Sequence, residues 1–228
     1  MVILATITVL LSLALLIVWA RLRNAARADY IRTYMFPRGI FDKLQAKRPE
    51  LTLKDCQLTA HALRQYFLAY LKSGCKFVSM PSQVADDLWH ELILYTRHYQ
   101  QFCNQAFGCF MHHTPAVVLG ADRQNNAGLR RIWWHACLEE NINPRKPTRL
   151  PLLFALDAKL GIADGFHYSP DCKALRNDRN ERGSGTSYCG GDFSDSGFDG
   201  STDGLGDSAS GDGSGDSGGC GGGCGGGD

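Results

Sequence analysis

The sequence predicts an all-α protein with an N-terminal transmembrane helix, a small domain of about four helices and a disordered C-terminal tail. Three observations support this prediction. An apolar stretch opens the chain, apolar residues recur with a helical period of about 3.6 between Phe41 and Ile162, and aliphatic residues almost vanish in the tail. The 228 residues therefore divide into an anchor (1–20), a basic juxtamembrane linker (21–40), a helical domain (41–165), a second linker (166–182) and a Gly/Asp/Cys tail (183–228).

The first twenty residues have the length and composition of a membrane span. Their only polar side chains are Thr6, Thr8 and Ser12, whose hydroxyls can bond back to helix carbonyls. At a rise of 1.5 Å per residue, about 20 residues cross the roughly 30 Å hydrocarbon layer. No Lys or Arg precedes the apolar core, which favours an uncleaved anchor over the alternative of a cleaved signal peptide.

The residues that follow the anchor indicate its orientation. Arg21, Arg23, Arg27 and Arg32 lie just beyond the apolar stretch, where Trp19 suits the headgroup level. Positive flanks stay on the cytoplasmic side, so the sequence predicts a single-pass inner-membrane protein with its domain in the cytoplasm. The nine cysteines, odd in number and without compact disulfide spacing, also favour a reducing compartment.

Four helices are predicted after the juxtamembrane linker. The first spans about 54–72 behind Thr52 as a possible N-cap, and the second runs from Met80-Pro81-Ser82 to Phe107. The others span about 122–141 and 152–160. The second helix has a clear core stripe, formed by Val84, Leu88, Leu92, Tyr95, Tyr99, Phe102 and Ala106.

The richest motif lies on and after the second helix, where His, Cys, carboxylates and aromatic residues are concentrated. Asp86 and His90 share one helical row, and Asp87 and Glu91 share the next, so each pair lies within about 6 Å. If the following loop folds back, zinc or another divalent metal is a possible cofactor; the candidate ligands are His90, His112, His113, Cys103 and Asp87.

Other interpretations of this motif stay open. The H-E-x-x-H pattern of zinc hydrolases is not satisfied, because Leu94 stands where the second histidine belongs. His90 is also explained as a structural imidazole bonded to Asp86 or to a backbone carbonyl. Cys103 fits a buried apolar residue, and its use as a nucleophile lacks an identifiable oxyanion site. The charged residues fit a solvated helix face.

The run from Val84 to Pro115, V-A-D-D-L-W-H-E-L-I-L-Y-T-R-x-Y-x-x-F-C-x-x-A-F-G-x-x-x-H-H-T-P, resembles the motif of the bacterial branch of the glycine-rich-domain-containing protein family. The resemblance covers about residues 50–140 and is most specific in the D-D-L-W-H and F-G…H-H-T-P blocks. It implies a shared domain but no established biochemical activity.

The tail differs from the rest of the chain in composition and charge. The whole chain carries +1 and residues 183–228 contribute −8, which leaves +9 for residues 1–182. Few apolar side chains are available to offset the entropy of ordering, so the tail is predicted to be a solvated spacer. Its aspartates lack the repeat of calcium-binding nonapeptides. Cys220 and Cys224 stand in almost pure glycine, and a thiol or redox role is possible.

The sequence favours a membrane-tethered interaction or scaffold protein with an unidentified protein partner. The alternatives are a metal-binding protein or metal-dependent enzyme with its site around His90, His112 and His113, and a thiol role for the C-terminal cysteine pair. No complete catalytic signature is present, so a binding protein is favoured over an enzyme. Arg130 and Arg131 form too small a basic patch for nucleic acid to be expected as a partner.

Overall fold

A computed structural model of the chain describes residues 2–113, 127–170, 187–189 and 193. The described residues form seven α-helices and two short strands, so the prediction of an all-α class is confirmed. The helices are α1 (Val2–Thr33), α2 (Ile40–Lys47), α3 (Leu53–Lys72), α4 (Gln83–Leu94), α5 (Thr96–Ala106), α6 (Ala127–Glu139) and α7 (Leu152–Leu160), and the strands are β1 (His167–Ser169) and β2 (Ser187–Cys189).

Helix α1 is long and apolar enough to cross a membrane. Its membrane-length part is exposed throughout, and the three hydroxyls within it donate to backbone carbonyls three or four residues earlier, at 2.8–2.9 Å. The helix does not end where the apolar stretch ends. It continues to Thr33, and Ala28 and Ile31 in its last turns are buried in the domain. The same helix therefore supplies the apolar segment and part of the core.

Helix α3 is the centre of the domain, because α1, α4, α6 and α7 all pack against it. Its start is fixed by a capping box, in which the Thr52 side chain accepts from the Asp55 N–H and the Asp55 carboxylate accepts from the Thr52 N–H. The predicted bounds of 54–72 agree with this helix to within one residue.

The expected single helix over about 80–107 is wrong, because the structure has two helices separated at Tyr95. The backbone leaves the helical region there, with ψ of 60°, and the Tyr95 hydroxyl donates to the Arg38 carbonyl at 3.3 Å. Helix α4 then packs on α2 and α3, whereas α5 packs on α1. The predicted core stripe is nevertheless buried on both sides of the break, apart from Tyr95 itself, which is half-buried.

The remaining elements complete the core. Helix α7 begins and ends where it was predicted, and the predicted start of the 122–141 helix lies outside the described residues. Helix α2 was not predicted; it is short and its N-cap, Gly39, offers no side-chain cap. Strands β1 and β2 pair in parallel within a region predicted to be linker and tail. Most of the predicted disordered tail lies outside the described residues, so its disorder stays a prediction.

Candidate functional site

Asp86 and His90 lie one turn apart near the start of α4. The Nδ1 atom of His90 is 2.8 Å from the Asp86 backbone oxygen and 3.3 Å from Asp86 Oδ2. Because a carbonyl oxygen can only accept, Nδ1 carries a proton, and in the neutral imidazole Nε2 therefore keeps its lone pair. The backbone of α4 thus sets both the orientation and the tautomer of this imidazole.

His113 reaches the same carboxylate from the segment that follows α5. Gly108, with φ of 77°, ends that helix in a left-handed conformation and lets the chain turn back. The Nε2 atom of His113 is 2.8 Å from Asp86 Oδ1, and its ring centroid is 4.2 Å from that of His90. One potential ligand atom from each of these three residues lies within 4.8 Å of the others.

The burial of the three side chains is graded. His113 exposes 12% of its side chain, Asp86 20% and His90 46%. The ring of Trp89 packs edge-on to His113, with centroids 4.5 Å apart, and closes the inner side of the cluster. The site is therefore backed by the core and opens to solvent at His90.

Buried hydrogen bonds hold the segment that carries His113. The Trp89 Nε1–H donates to the Tyr99 hydroxyl at 3.2 Å, and that hydroxyl donates to the Met111 carbonyl at 2.6 Å. Burial, the main cause, raises the pKa of Tyr99 above its usual value, so the phenol keeps its proton and remains a donor. These contacts fix the chain two residues before His113.

The N-terminus of α4 is fixed by Asp157, a buried carboxylate on α7. It accepts from the Ser82 hydroxyl at 2.7 Å, from the Gln83 N–H at 2.7 Å and from the Phe166 N–H at 2.9 Å. A carboxylate at this end of a helix satisfies N–H groups that have no partner within the helix. Sequence reasoning missed Asp157, because its partner Ser82 lies 75 residues away in the chain.

The structure brings together some of the predicted ligands and separates others. His90 and His113 converge. Asp87 faces away and is buried against Lys47 Nζ at 2.6 Å and Arg48 Nε at 2.8 Å, and its neighbour Asp86 occupies the cluster instead. The helical spacing that places Asp86 beside His90 is the feature of the sequence that identifies Asp86 as a member of the cluster.

The other two predicted ligands also lie outside the cluster. Cys103 is fully buried in the core, and burial, the largest cause, raises the pKa of its thiol. His112 is exposed and packs against the ring of Phe110, with centroids 4.9 Å apart. Metal binding by any of the predicted residues stays a prediction.

Comparison with known proteins identifies a family but adds no activity. No curated protein and no solved structure is detectably similar to the chain. The expected membership of the glycine-rich-domain-containing family is wrong, because a different family model, described as UCP032817-like, matches residues 26–193. That match covers α2 to α7, the Asp86–His90–His113 cluster and the last turns of α1. The chain therefore belongs to the UCP032817-like family.

Proposed function

We propose that this chain is a membrane-tethered protein whose helical domain binds a divalent transition metal through Asp86, His90 and His113. The convergence of these three side chains carries the proposal: two imidazoles and one carboxylate, from two separate segments, offer ligand atoms within 4.8 Å of one another. A metal that drew these atoms together would replace the hydrogen bonds that now join them.

The donor set favours particular metals. Imidazole nitrogen suits zinc, iron, copper and nickel, and two histidines with one carboxylate recur in zinc and non-haem iron(II) sites. Three protein ligands leave coordination positions open for water or another small ligand. The exposure of His90 gives the ion a path from solvent. The lower exposure of Asp86 and His113 restricts the movement of the other two ligands.

The surroundings of His90 resemble those of metal-ligating histidines in general. A ligating histidine usually donates its second ring N–H to a carbonyl or carboxylate, which fixes the ring and its tautomer. The bond from His90 Nδ1 to the Asp86 carbonyl has this form. The competing explanation is a purely structural cluster, in which Asp86 joins two histidines by hydrogen bonds and pins the segment after α5.

The tether supports a location for this site. Helix α1 has an exposed apolar window long enough to span a bilayer, and its last turns are packed in the domain. The arginines that follow the window support a cytoplasmic location for the domain, by the positive-inside rule. The metal site would then lie on a domain held close to the inner face of the membrane. A protein partner, as a scaffold would require, stays a prediction.

Metal titration of the full chain in detergent micelles tests the proposal. We expect one equivalent of Zn²⁺ to bind wild-type protein, and His90→Ala to weaken binding by at least about tenfold. His112→Ala is the matched control, since this exposed histidine lies on the same segment but outside the cluster; it should bind as the wild type does. Equal zinc affinities of His90→Ala and wild-type protein would contradict the metal site and favour the purely structural cluster.

A further inference from the structure

The loop that follows α3 and the loop that follows α5 meet beside the juxtamembrane part of α1. After α3, the chain turns through Gly74 and Cys75, both in left-handed conformations, and the Cys75 N–H donates to the Tyr70 carbonyl at 3.0 Å. After α5, Gly108 makes a similar turn, its N–H donating to the Cys103 carbonyl at 3.1 Å, and Cys109 follows. Each turn places one cysteine directly after a helix end.

The packing around these turns brings the two cysteines together. The ring of Tyr70 at the end of α3 and the ring of Phe107 directly after α5 are 4.8 Å apart at nearly perpendicular orientation. Cys75 lines a cavity of about 180 Å³ together with Phe110 and Met111 from the segment after Cys109. The Cys109 thiol is a side-chain hydrogen-bond partner of the Cys75 thiol and of Tyr70.

These two thiols differ from the other cysteines that the structure describes in full. Cys56, Cys103 and Cys137 are buried in the core, whereas Cys75 is half-buried and Cys109 is exposed. A soluble reagent therefore meets Cys109 first and has Cys75 directly behind it. Exposure and a neighbouring resolving thiol are the features that distinguish redox-active cysteines from structural ones.

A basic side chain from the anchor helix lies at the same place. The guanidinium of Arg27 packs so closely over Gly108 that a Cβ there would lie 2.2 Å from it. Burial and then Cys109 raise the pKa of Cys75 to about 11, and Arg27 acts in the opposite direction. A nearby cation stabilises the thiolate that forms as a thiol reacts.

We propose that Cys75 and Cys109 form a redox-active pair, which a small-molecule disulfide oxidises to an intramolecular disulfide. The Cys109 thiolate attacks one sulfur of the oxidant, forms a mixed disulfide and releases the first thiol. The Cys75 thiol then loses its proton and attacks Cys109 Sγ, which expels the second thiol. Two electrons and two protons pass to the oxidant, and one new S–S bond forms in the protein.

Oxidation would connect the pair to the cluster described above. The new bond would tie the turn after α3 to the segment that starts at Cys109 and reaches His113 four residues later. It would thereby restrict the segment that carries His113, one of the three side chains of the cluster. The existence of the disulfide does not depend on metal binding, and the two proposals are tested separately.

The pair is tested on the full wild-type chain in detergent, equilibrated with mixtures of reduced and oxidised glutathione. Free thiols are then trapped with a maleimide, and the disulfides are mapped by peptide mass spectrometry. We expect a Cys75–Cys109 cross-linked peptide to form as the buffer becomes oxidising, while Cys56, Cys103 and Cys137 remain free. Cys220→Ser/Cys224→Ser protein, which lacks the tail thiols, should form the same cross-link.

A single variant shows whether Cys75 is the thiol that resolves the mixed disulfide. In Cys75→Ser protein, Cys109 should accumulate as a mixed disulfide with glutathione, because no neighbouring thiol remains to displace it. The proposal is overturned if wild-type Cys75 and Cys109 both stay reduced, if each carries glutathione separately, or if either pairs instead with a third cysteine. None of these outcomes requires a variant to fold, since each is scored on the wild-type chain.

Discussion

Asp86 and Asp87 are adjacent carboxylates with different surroundings. Asp87 is 2% exposed and paired with Lys47 and Arg48, whereas Asp86 is partly exposed and contacts two histidines. One residue of helical rotation therefore separates a buried ion pair from an accessible cluster. The same substitution should mainly affect stability at Asp87 and mainly affect metal binding at Asp86.

Asp87→Asn should destabilise the domain and leave metal binding intact. Removing one partner of a buried ion pair costs about 3–5 kcal/mol, and we expect the lower end because Arg48 keeps a second carboxylate, Asp164, at 2.8 Å. Asp86→Asn should lose metal with a smaller effect on stability. Urea unfolding and zinc titration of both variants check this pair. Loss of metal binding in Asp87→Asn protein that is still folded would contradict it.

His135 should make stability depend on pH. Burial, and then the positive charge of Lys72, lower the pKa of this imidazole to about 4 in the folded chain, against about 6.5 when unfolded. Folding favours the neutral form of His135. The contribution of His135 to the stability of the folded state is therefore complete above pH 6.5 and is lost as the pH falls towards 4. The loss should reach at most about 1.4 kcal/mol per pH unit in that window.

The comparison of wild type with His135→Phe isolates this contribution. Both proteins are unfolded by urea at pH 7.0, 5.5 and 4.5, and the variant should lose less stability than the wild type between the first and last values. Carboxylates that titrate in the same range are common to both proteins and cancel in the difference. Parallel pH profiles would show that His135 does not titrate as its burial implies.

At the scale of elements, the position of α4 depends on a contact from α7. Asp157 accepts hydrogen bonds from three separate groups at the start of α4 and from the Phe166 N–H. Asp157→Ala should cost at least about 3 kcal/mol, because each buried donor left without a partner costs about 1–3 kcal/mol. Asp157→Asn keeps one oxygen acceptor and should be less harmful. Thermal unfolding of the two variants tests this order, and equal losses would contradict it.

Local signals in the sequence predicted much of the helical structure. The cap at Thr52 and the proline before α7 placed α3 and α7 to within a residue, because such signals act on the residues beside them. The break at Tyr95 has no proline or glycine to mark it. It follows from α4 and α5 packing on different neighbours, which the periodicity of a single segment does not contain.

The candidate site was predictable only in part, for a related reason. Helical spacing alone places Asp86 beside His90. The arrival of His113, rather than His112, depends on how the Tyr99 hydroxyl fixes Met111. The choice between Asp86 and Asp87 depends on Lys47 and Arg48, far away in the chain, which pair with the second carboxylate. Long-range contacts of this kind leave no periodic pattern.

At the scale of the whole molecule, α1 joins the apolar segment to the core without a flexible linker. Ile31 is fully buried, whereas Ile17, within the apolar stretch, is 46% exposed. Ile31→Ala should therefore cost about 2–5 kcal/mol, and Ile17→Ala should leave the stability of the domain unchanged. Thermal unfolding in micelles compares the two. Equal stability of both variants would mean that α1 is not part of the folded domain.

The metal site is the central claim, and X-ray absorption spectroscopy of the zinc-loaded full chain tests it most directly. We predict a first coordination shell of nitrogen and oxygen at about 2.0–2.2 Å, with the outer-shell scattering of two imidazoles. The imidazole signal should halve in His113→Ala protein and persist in His112→Ala protein. A shell dominated by sulfur at about 2.3 Å, or a spectrum unchanged by His113→Ala, would contradict a metal site at Asp86, His90 and His113.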